Sequence, residues 1–352
     1  MVLEIVWLMP PEIKIEHFSS AEKTWDEYVL RHPQATFFHL MGWQRVLEQT
    51  FPYRPFSCVA LRDGRISGVL PLSLVRNLPF GQSLVSMPWG VYGGICADDD
   101  ETQNALLNYA KTLAQRLGVR YLELRNQAPC CDLPSTDLYV TFRQEIASDP
   151  ETNMTAIPRK QRRMIRQGDK HGLTAQIGGE EFLKSFYHLY AHSVRNLGTP
   201  VFPVRFMANL LREFGPACRI LAVFHEEQMV AGVMTFFFRD QVMPYYGGAL
   251  RHALQYAVND FMYWHLLCYG AEQGYQIFDF GRSKKGTGSY DFKRHWGFEP
   301  TPLAYQYHLV RQKTMPDQNP LNPRFALAIE TWKRMPLWLS RWLGPGVVRF
   351  FP

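Results

Sequence analysis

Between Ile277 and Pro300 the chain reads IFDFGRSKKGTGSYDFKRHWGFEP, which sets one carboxylate, Asp279, just ahead of the cations Arg282, Lys284 and Lys285. A carboxylate among apolar neighbours is held above its usual pKa and accepts a proton more readily near neutrality, so Asp279 is a candidate general base. The glycines of Gly286-Thr287-Gly288 let backbone amides approach an anion, and Arg282, Ser283 and Lys285 are candidate substrate-binding groups beside them. This is not a P-loop, because Thr287 stands where the phosphate-binding lysine belongs. Tyr290 and Lys293 are the further catalytic candidates, to orient substrate or stabilise an oxyanion, and Trp296 is either a wall of the same site or core. A plainer reading has Asp279 accepting backbone hydrogen bonds at a strand end, with the loop cations solvated.

Around these residues, Ile277, Phe278 and Phe280 form the pattern of a core strand that breaks at Gly281. A second set of candidates lies on a basic helix, IPRKQRRMIRQG from Ile157 to Gly168. There Arg159, Lys160, Arg163 and Arg166 fall at helical spacings that suit a diphosphate or a nucleic-acid backbone, with Met164 and Ile165 turned inward. A solvated charged face would read the same way. Tyr246, in the strand Pro244 to Gly248, and Asn259 and Asp260, on the helix after it, are expected to line the cleft.

An internal repeat organises these elements. CVALRDGRISGVLPLSL from Cys58 aligns with AVFHEEQMVAGVMTFFF from Ala222, placing Gly68 on Gly232 in two hairpins with charged turns. VYGG at Val91 to Gly94 then matches YYGG at Tyr245 to Gly248 as a third strand, a helical pattern follows in both halves, and GVRYLELRN from Gly118 falls on GYQIFDFGR from Gly274. Glu123 thereby lies opposite Asp279. The pattern predicts two copies of an α/β (mixed α+β) domain: residues 1–145, a linker at 146–157 in which Thr155 caps the next helix, residues 158–312, and a tail at 313–352.

The chain has 352 residues, room for two cores, and a net charge of +6 that is unevenly spread. Arg159 to Lys170 and Arg311 to Pro352 each carry +5, which leaves the rest at −4. Local anion sites fit this better than a surface built for DNA, and no helix-turn-helix or zinc-finger spacing is present. Six cysteines without regular spacing point to a reducing compartment and to no metal site. The N-terminus lacks a signal-peptide pattern and no apolar run reaches membrane-spanning length, so a cytoplasmic protein is expected. In the tail, Trp332, Trp338 and Trp342 alternate with Lys333, Arg334 and Arg341, a composition suited to peripheral contact with the inner membrane face; Pro336 interrupts a long helix there, and a tail packed on the domain is the competing reading.

The run FDFGRSKKGTGSYDFK from Phe278, the closing WGFEP from Trp296, SMPWGVYGG from Ser86 and the basic IPRKQRRMIRQG together resemble FemAB-type transferases and related double GNAT-type proteins, particularly those associated with exopolysaccharide and PEP-CTERM systems. The resemblance spans roughly residues 35 to 310. It implies two tandem GNAT-like domains, each a mixed sheet flanked by helices. It also implies transfer of an aminoacyl or acyl group onto an amine or hydroxyl of a cell-envelope precursor, sugar-nucleotide or lipid-linked. No tightly bound cofactor or metal is implied; the donor, aminoacyl-tRNA or acyl-CoA, is a co-substrate, so tRNA is a possible partner. ALRHALQYAVND, from Ala249, lacks the glycines of the usual coenzyme A diphosphate loop, which weighs against acyl-CoA. The rival readings are an acetyl-CoA-dependent N-acetyltransferase of a sugar or small amine, and a non-catalytic precursor-binding protein.

Overall fold

The structure, a computed structural model, describes residues 12–18, 22–77, 81–316 and 325–350. Strands of the first half are β1 (Lys14–His17), β2 (Arg54–Pro55), β3 (Cys58–Arg62), β4 (Arg65–Leu70), β5 (Leu72–Asn77), β6 (Gly81–Ser86), β7 (Cys96–Ala97), β8 (Tyr121–Asn126), β9 (Ser135–Thr136) and β10 (Tyr139–Glu145). Those of the second are β11 (Leu173–Gly178), β12 (Cys218–His225), β13 (Gln228–Phe238), β14 (Gln241–Ala249), β15 (Ile277–Asp279), β16 (Ser283–Lys284), β17 (Pro300–Pro302) and β18 (Ala304–Leu309). The helices are α1 (Glu22–Arg31), α2 (Met41–Thr50), α3 (Asp100–Leu117), α4 (Pro150–Ala156), α5 (Arg159–Lys170), α6 (Glu180–Leu197), α7 (Val204–Phe214), α8 (Val258–Glu272), α9 (Gly288–His295), α10 (Ala326–Arg334) and α11 (Leu337–Val348).

Both halves are mixed sheets flanked by helices. In the second, the strand order is β11-β12-β13-β14-β15-β10-β16, with β17 beside β10. In the first, the equivalent sheet is broken in two, β1-β3-β4-β7 and β2-β5-β6-β8-β18-β9. The break falls at Pro71, between β4 and β5, and at the loop 87–95, between β6 and β7. Pro71 supplies no ladder N–H, which suits a strand interruption. The sequence match of VYGG with YYGG is corrected here: Tyr245 to Gly248 lie in β14, but Val91 to Gly94 are loop.

The two hairpins repeat down to their irregularities. Asp63 and Glu226 both take left-handed backbone at the turn, and both ladders are bulged, after Ala60 and after Val223. Counting from the turn, Gly68 is equivalent to Ala231, one residue away from the glycine-on-glycine match. A one-residue shift on a strand reverses the face. Accordingly, a Cβ at Gly68 would meet Thr102 and Leu106 of α3, whereas one at Gly232 would meet Phe186 of α6.

The sheets do not divide at residue 145. β10 leaves the first half to pair antiparallel with β15, Arg143 opposite Asp279. β18 returns from the second half to pair antiparallel with β8, Tyr307 opposite Glu123. Each half therefore holds an interior strand of the other. The expected linker contains α4, capped at its start by Asp149, with Thr155 inside it and Pro158 capping α5 instead. Aromatic packing also crosses the junction: Phe37 stacks on Phe236 at 4.6 Å between ring centres, and Trp43 meets Phe236 edge-on at 5.5 Å.

Candidate active site at the domain junction

Two local features open the second sheet. β14 and β15 pair in parallel only at Gln241 with Ile277 and Val242 with Phe278, then diverge. On the other side of β14, Met234 faces Tyr246 and Thr235 faces Pro244, so Tyr245 is the extra residue of a bulge. The loop 87–95 of the first half is seated across this region.

That loop has left-handed backbone at Met87 and Trp89 (φ 46° and 64°), a conformation costly for non-glycine residues unless the surroundings hold it. Here they do. Trp43 Nε1 donates to Pro88 O at 3.0 Å, Tyr245 Oη to Trp89 O at 2.5 Å, Arg125 Nη1 to Gly90 O at 3.0 Å and Tyr305 Oη to Val91 O at 2.6 Å. At the far end His39 Nε2 donates to Gly94 O at 3.1 Å while its Nδ1 accepts from Thr36 N. Burial lowers the His39 pKa to about 4, which keeps the ring in the neutral form this pattern requires. Side chains from both halves thus fix the segment that presents Tyr92.

Tyr92 meets the carboxylate of Asp279. Its hydroxyl donates to Asp279 at 3.0 and 3.1 Å and also bonds Thr141 Oγ1. Gly281 N donates to Asp279 Oδ1 at 2.7 Å and Thr141 Oγ1 at 3.4 Å, while Arg143 Nε forms an ion pair at 3.2 Å off the hydrogen-bonding line. Asp279 is 1% exposed. Burial raises its pKa, opposed by Arg143 and by the Gly281 and Tyr92 bonds. The raised pKa is the one sought for a base, but proton transfer at this carboxylate requires the Tyr92 contact to open.

Lys293, on α9, turns back beneath the same loop. Its ammonium donates to Phe280 O, Gly281 O and Arg282 O at 2.7, 3.0 and 3.2 Å. Burial lowers its pKa to about 7, against the pull of Asp279. Arg282 is sandwiched by aromatics, 4.6 Å from the Tyr139 ring and 5.5 Å from that of Tyr305, and its Nη1 donates to Tyr305 Oη at 3.2 Å. Ser283 is buried with its hydroxyl unpartnered, Lys285 lies at the surface 3.6 Å from Asp137, and Tyr290 is half-buried edge-on to Phe142. Asp279, Arg282, Ser283, Tyr290 and Lys293 are therefore gathered around one loop.

Other candidates go elsewhere. Asp260 does not line a cleft: it is buried, with Oδ1 accepting from Gln161 Nε2 and Trp296 Nε1 at 3.0 Å each, and so bolts α5 and α9 to α8. Trp296, 1% exposed, is core rather than a wall. Tyr246 is also core, packed among Tyr190, Phe202 and Phe206 with its hydroxyl unpartnered. Asn259 is half-buried beside Asp260. Arg159, Lys160, Arg163 and Arg166 stand exposed on α5, with no ion-pair partner among the described residues, while Ile165 and Gln161 face inward. Tyr92, Thr141, Arg143, Tyr139, Tyr245 and Tyr305 were not singled out from the sequence. For Tyr92 a signal existed, the SMPWGVYGG segment; for the others the junction itself was needed.

Two mixed sheets flanked by helices, joined by exchanged strands and with a buried polar centre between them, define a tandem α/β architecture. Residues 158–294 match the acetyltransferase (GNAT) domain family. The crystal structure of FemX, a FemAB-family protein, superposes with a TM-score of 0.67 at 15% identity, over 90% of this chain and 100% of that one. The C-terminal domain (DUF2156) of a putative lysylphosphatidylglycerol synthetase from Agrobacterium fabrum gives 0.58 at 13%, over 88% and 95%. A tandem GNAT protein from the clavulanic acid biosynthesis pathway gives 0.51 at 12%, over 87% and 100%. No curated protein matches the sequence. The second half is thus an acyltransferase-type domain. No three-residue metal cluster and no membrane-spanning helix occur among the described residues.

Proposed function

We propose that the protein is a FemAB-like transferase that moves an aminoacyl or acyl group onto an amine or hydroxyl of a cell-envelope or exopolysaccharide precursor. The observation that carries this is the Tyr92–Asp279 contact: a buried carboxylate of the second domain is completed by a loop of the first, at the point where β14 and β15 separate. Acyl transfer to an amine or hydroxyl needs two substrates aligned, a proton removed and a developing oxyanion stabilised. Asp279 is the group suited to the proton once Tyr92 moves aside. Lys293 and the Gly281 amide order the loop behind it, and Tyr290 stands at its rim.

An aminoacyl donor is supported by the connection into α8. There a 3-10 turn, Arg251–Tyr256, places buried Ala253 and Ala257 where glycines would let a diphosphate approach the backbone. The GNAT family match at 158–294 favours acyl-CoA instead. The acceptor reading draws on the exposed cations of α5. It draws also on the fold shared with the putative lysylphosphatidylglycerol synthetase, whose name joins an aminoacyl group to a lipid. Contact with the inner membrane face would use the tail, where Trp338 and Trp342 are 70% and 74% exposed on α11.

Thermal-unfolding titrations separate the donors. A ligand at one hundred times its Kd stabilises the folded state by about 2.7 kcal/mol. A saturable shift with aminoacyl-tRNA and none with acetyl-CoA supports the aminoacyl reading; a shift selective for acetyl-CoA over desulfo-coenzyme A replaces it with acetyl transfer. Folded Asp279→Asn should then lose transfer with whichever donor binds. Retained turnover would remove Asp279 from the chemistry.

A further inference from the structure

In the loop between β8 and β9, Cys130 and Cys131 stand next to one another, both half-buried, with their sulfurs 3.7 Å apart and unbonded. Cys58, Cys96 and Cys218 are buried, and Cys268 lies on α8. Side chains from two other elements grip the pair. Gln306 of β18 accepts from Cys130 N at 3.2 Å on its Oε1, lies 3.5 Å from Cys130 Sγ through the same atom, and donates from Nε2 to Cys131 O at 2.5 Å. Gln103 of α3 donates to Cys130 O at 2.6 Å. Gln306 Oε1 also accepts from Asn126 Nδ2 at 3.0 Å, and Asn126 Oδ1 in turn accepts from Ile95 N at 3.1 Å. Ile95 ends the loop 87–95, which presents Tyr92 to Asp279. A Cβ at Gly94 would lie 1.7 Å from Asn126 Oδ1, so the loop backbone is packed directly against this side chain. Two buried amides, Gln306 and Asn126, therefore connect the thiols to that loop.

We propose that Cys130 and Cys131 are a reversible oxidation site, which forms a vicinal disulfide by exchange with a small-molecule disulfide, and that closing the bond loosens the end of the loop 87–95. Cys131 begins the exchange. The hydrogen bond from the Cys130 thiol, with the charge of Lys111 on α3 behind it, holds the Cys131 pKa below its ordinary value against the effect of burial, while the same contact raises that of Cys130. The Cys131 thiolate attacks one sulfur of the small disulfide, whose S–S bond breaks and releases a first thiol; Cys130 then gives up its proton and attacks Cys131 Sγ, which expels the second. Two protein thiols are oxidised and one small disulfide is reduced to two thiols. Consecutive Cα atoms lie about 3.8 Å apart, below the ordinary disulfide span of about 4.4–6.8 Å, so the bond is strained and easily reduced again. Such lability suits a regulatory bond rather than a structural one. Closure brings the sulfurs to about 2.05 Å and takes the Cys130 S–H away from Gln306 Oε1, while Gln103 and Gln306 hold the two carbonyls. Gln306 bonds both cysteines and Asn126, so its displacement reaches the Ile95 amide. None of this chemistry requires that the chain transfer acyl groups.

Peptide mapping of the full chain after incubation in glutathione redox buffers tests this, because trypsin releases residues 126–143 as one peptide holding both cysteines. With glutathione disulfide that peptide should lose two hydrogens without gaining glutathione, and reduced glutathione should restore it. In Cys130→Ser the exchange should stop at a glutathione adduct on Cys131, whereas Cys131→Ser should react many times more slowly. Phenylarsine oxide, which condenses with two neighbouring thiols and releases water, should bind the wild type one-to-one and neither variant tightly. In the oxidised wild type, hydrogen exchange at the Ile95 amide should quicken severalfold, and the same oxidant should leave it unchanged in Cys130→Ser/Cys131→Ser. A peptide that only collects glutathione, or that reacts no faster than Cys268, overturns the oxidation site. A disulfide that leaves Ile95 exchange unchanged overturns its link to the loop. Both readouts are independent of turnover, so a failed transfer assay would count against the acyl-transfer reading and not against this site.

Discussion

The two halves place a buried carboxylate at the same point of the same strand and treat it in opposite ways. Glu123 of β8 and Asp279 of β15 are each 1% exposed. Glu123 is neutralised from within its own strand by Arg125, at 2.8 Å, whose guanidinium then reaches Gly90 O of the loop 87–95. Two residues beyond Asp279 the corresponding position is Gly281, which offers only a backbone N–H. The side chain that fills the first site is thus missing from the second, and the partners of Asp279 come instead from Tyr92, Thr141 and Arg143. A self-contained ion pair makes a scaffold, whereas a carboxylate completed from elsewhere can be exposed by moving one segment.

If that contrast is sound, Glu123→Gln should produce the largest loss of stability. Arg125 would remain buried without its counter-ion, a cost of about 3–5 kcal/mol, read as a fall in chemical-denaturation midpoint. Activity per folded molecule should survive if the first half is scaffold; equal loss of both would erase the distinction. Tyr92→Phe is the complementary cut. It removes a hydrogen bond to a charged group, about 1.5–3 kcal/mol, and leaves the carboxylate open on one side. Transfer should change more than stability does, and a variant indistinguishable from wild type in turnover would end the idea that this contact gates Asp279.

Lys293 offers a pH test. Its folded pKa of about 7 lies below the ordinary 10.5, so between those values the unfolded chain holds a proton that the folded chain has released. Through that window this group makes stability rise with pH. The difference in melting temperature between wild type and Lys293→Met should therefore shift in favour of wild type from pH 7 to 10; a difference independent of pH would mean the ammonium stays charged. The smallest expected effect on folding is that of Trp338→Ala/Trp342→Ala, within about 0.5 kcal/mol for exposed positions. Its readout is sedimentation with vesicles containing anionic lipid, which should fall; undiminished sedimentation would exclude these two side chains as the contact.

The duplicated hairpins, the helices and the strand around Asp279 were legible because each is written in local periodicity and turn residues. Even there, matching Gly68 to Gly232 erred by one residue, since glycine at each site serves a different helix and the charged turns keep the true register. Asp279, Arg282 and Lys293 could be found from their neighbours in sequence. The SMPWGVYGG segment marked Tyr92 without its partner, and Arg143 and Tyr305 could not be found, because nothing local states which sheet a strand will join. The sequence leads one to expect Asp260 in the cleft and leaves Trp296 between wall and core, because an indole bonded to a buried carboxylate is indistinguishable, in sequence, from one facing a ligand. The cations of α5 are displayed as the helical pattern requires, yet display is common to a binding surface and a solvated one.

The exchange of β10 and β18 bears on how the chain is made. β8 ends at Asn126, but its neighbour β18 begins at Ala304. At ordinary translation rates those intervening ~180 residues take roughly 10–35 s to emerge from the ribosome. Throughout that interval the nascent first half exposes an unpaired strand edge, a state in which a holding chaperone has time to act. For the same reason, cutting the gene at the junction should yield two insoluble fragments, each lacking a strand from the interior of its sheet, while co-expression of fragments that respect the exchange should restore both.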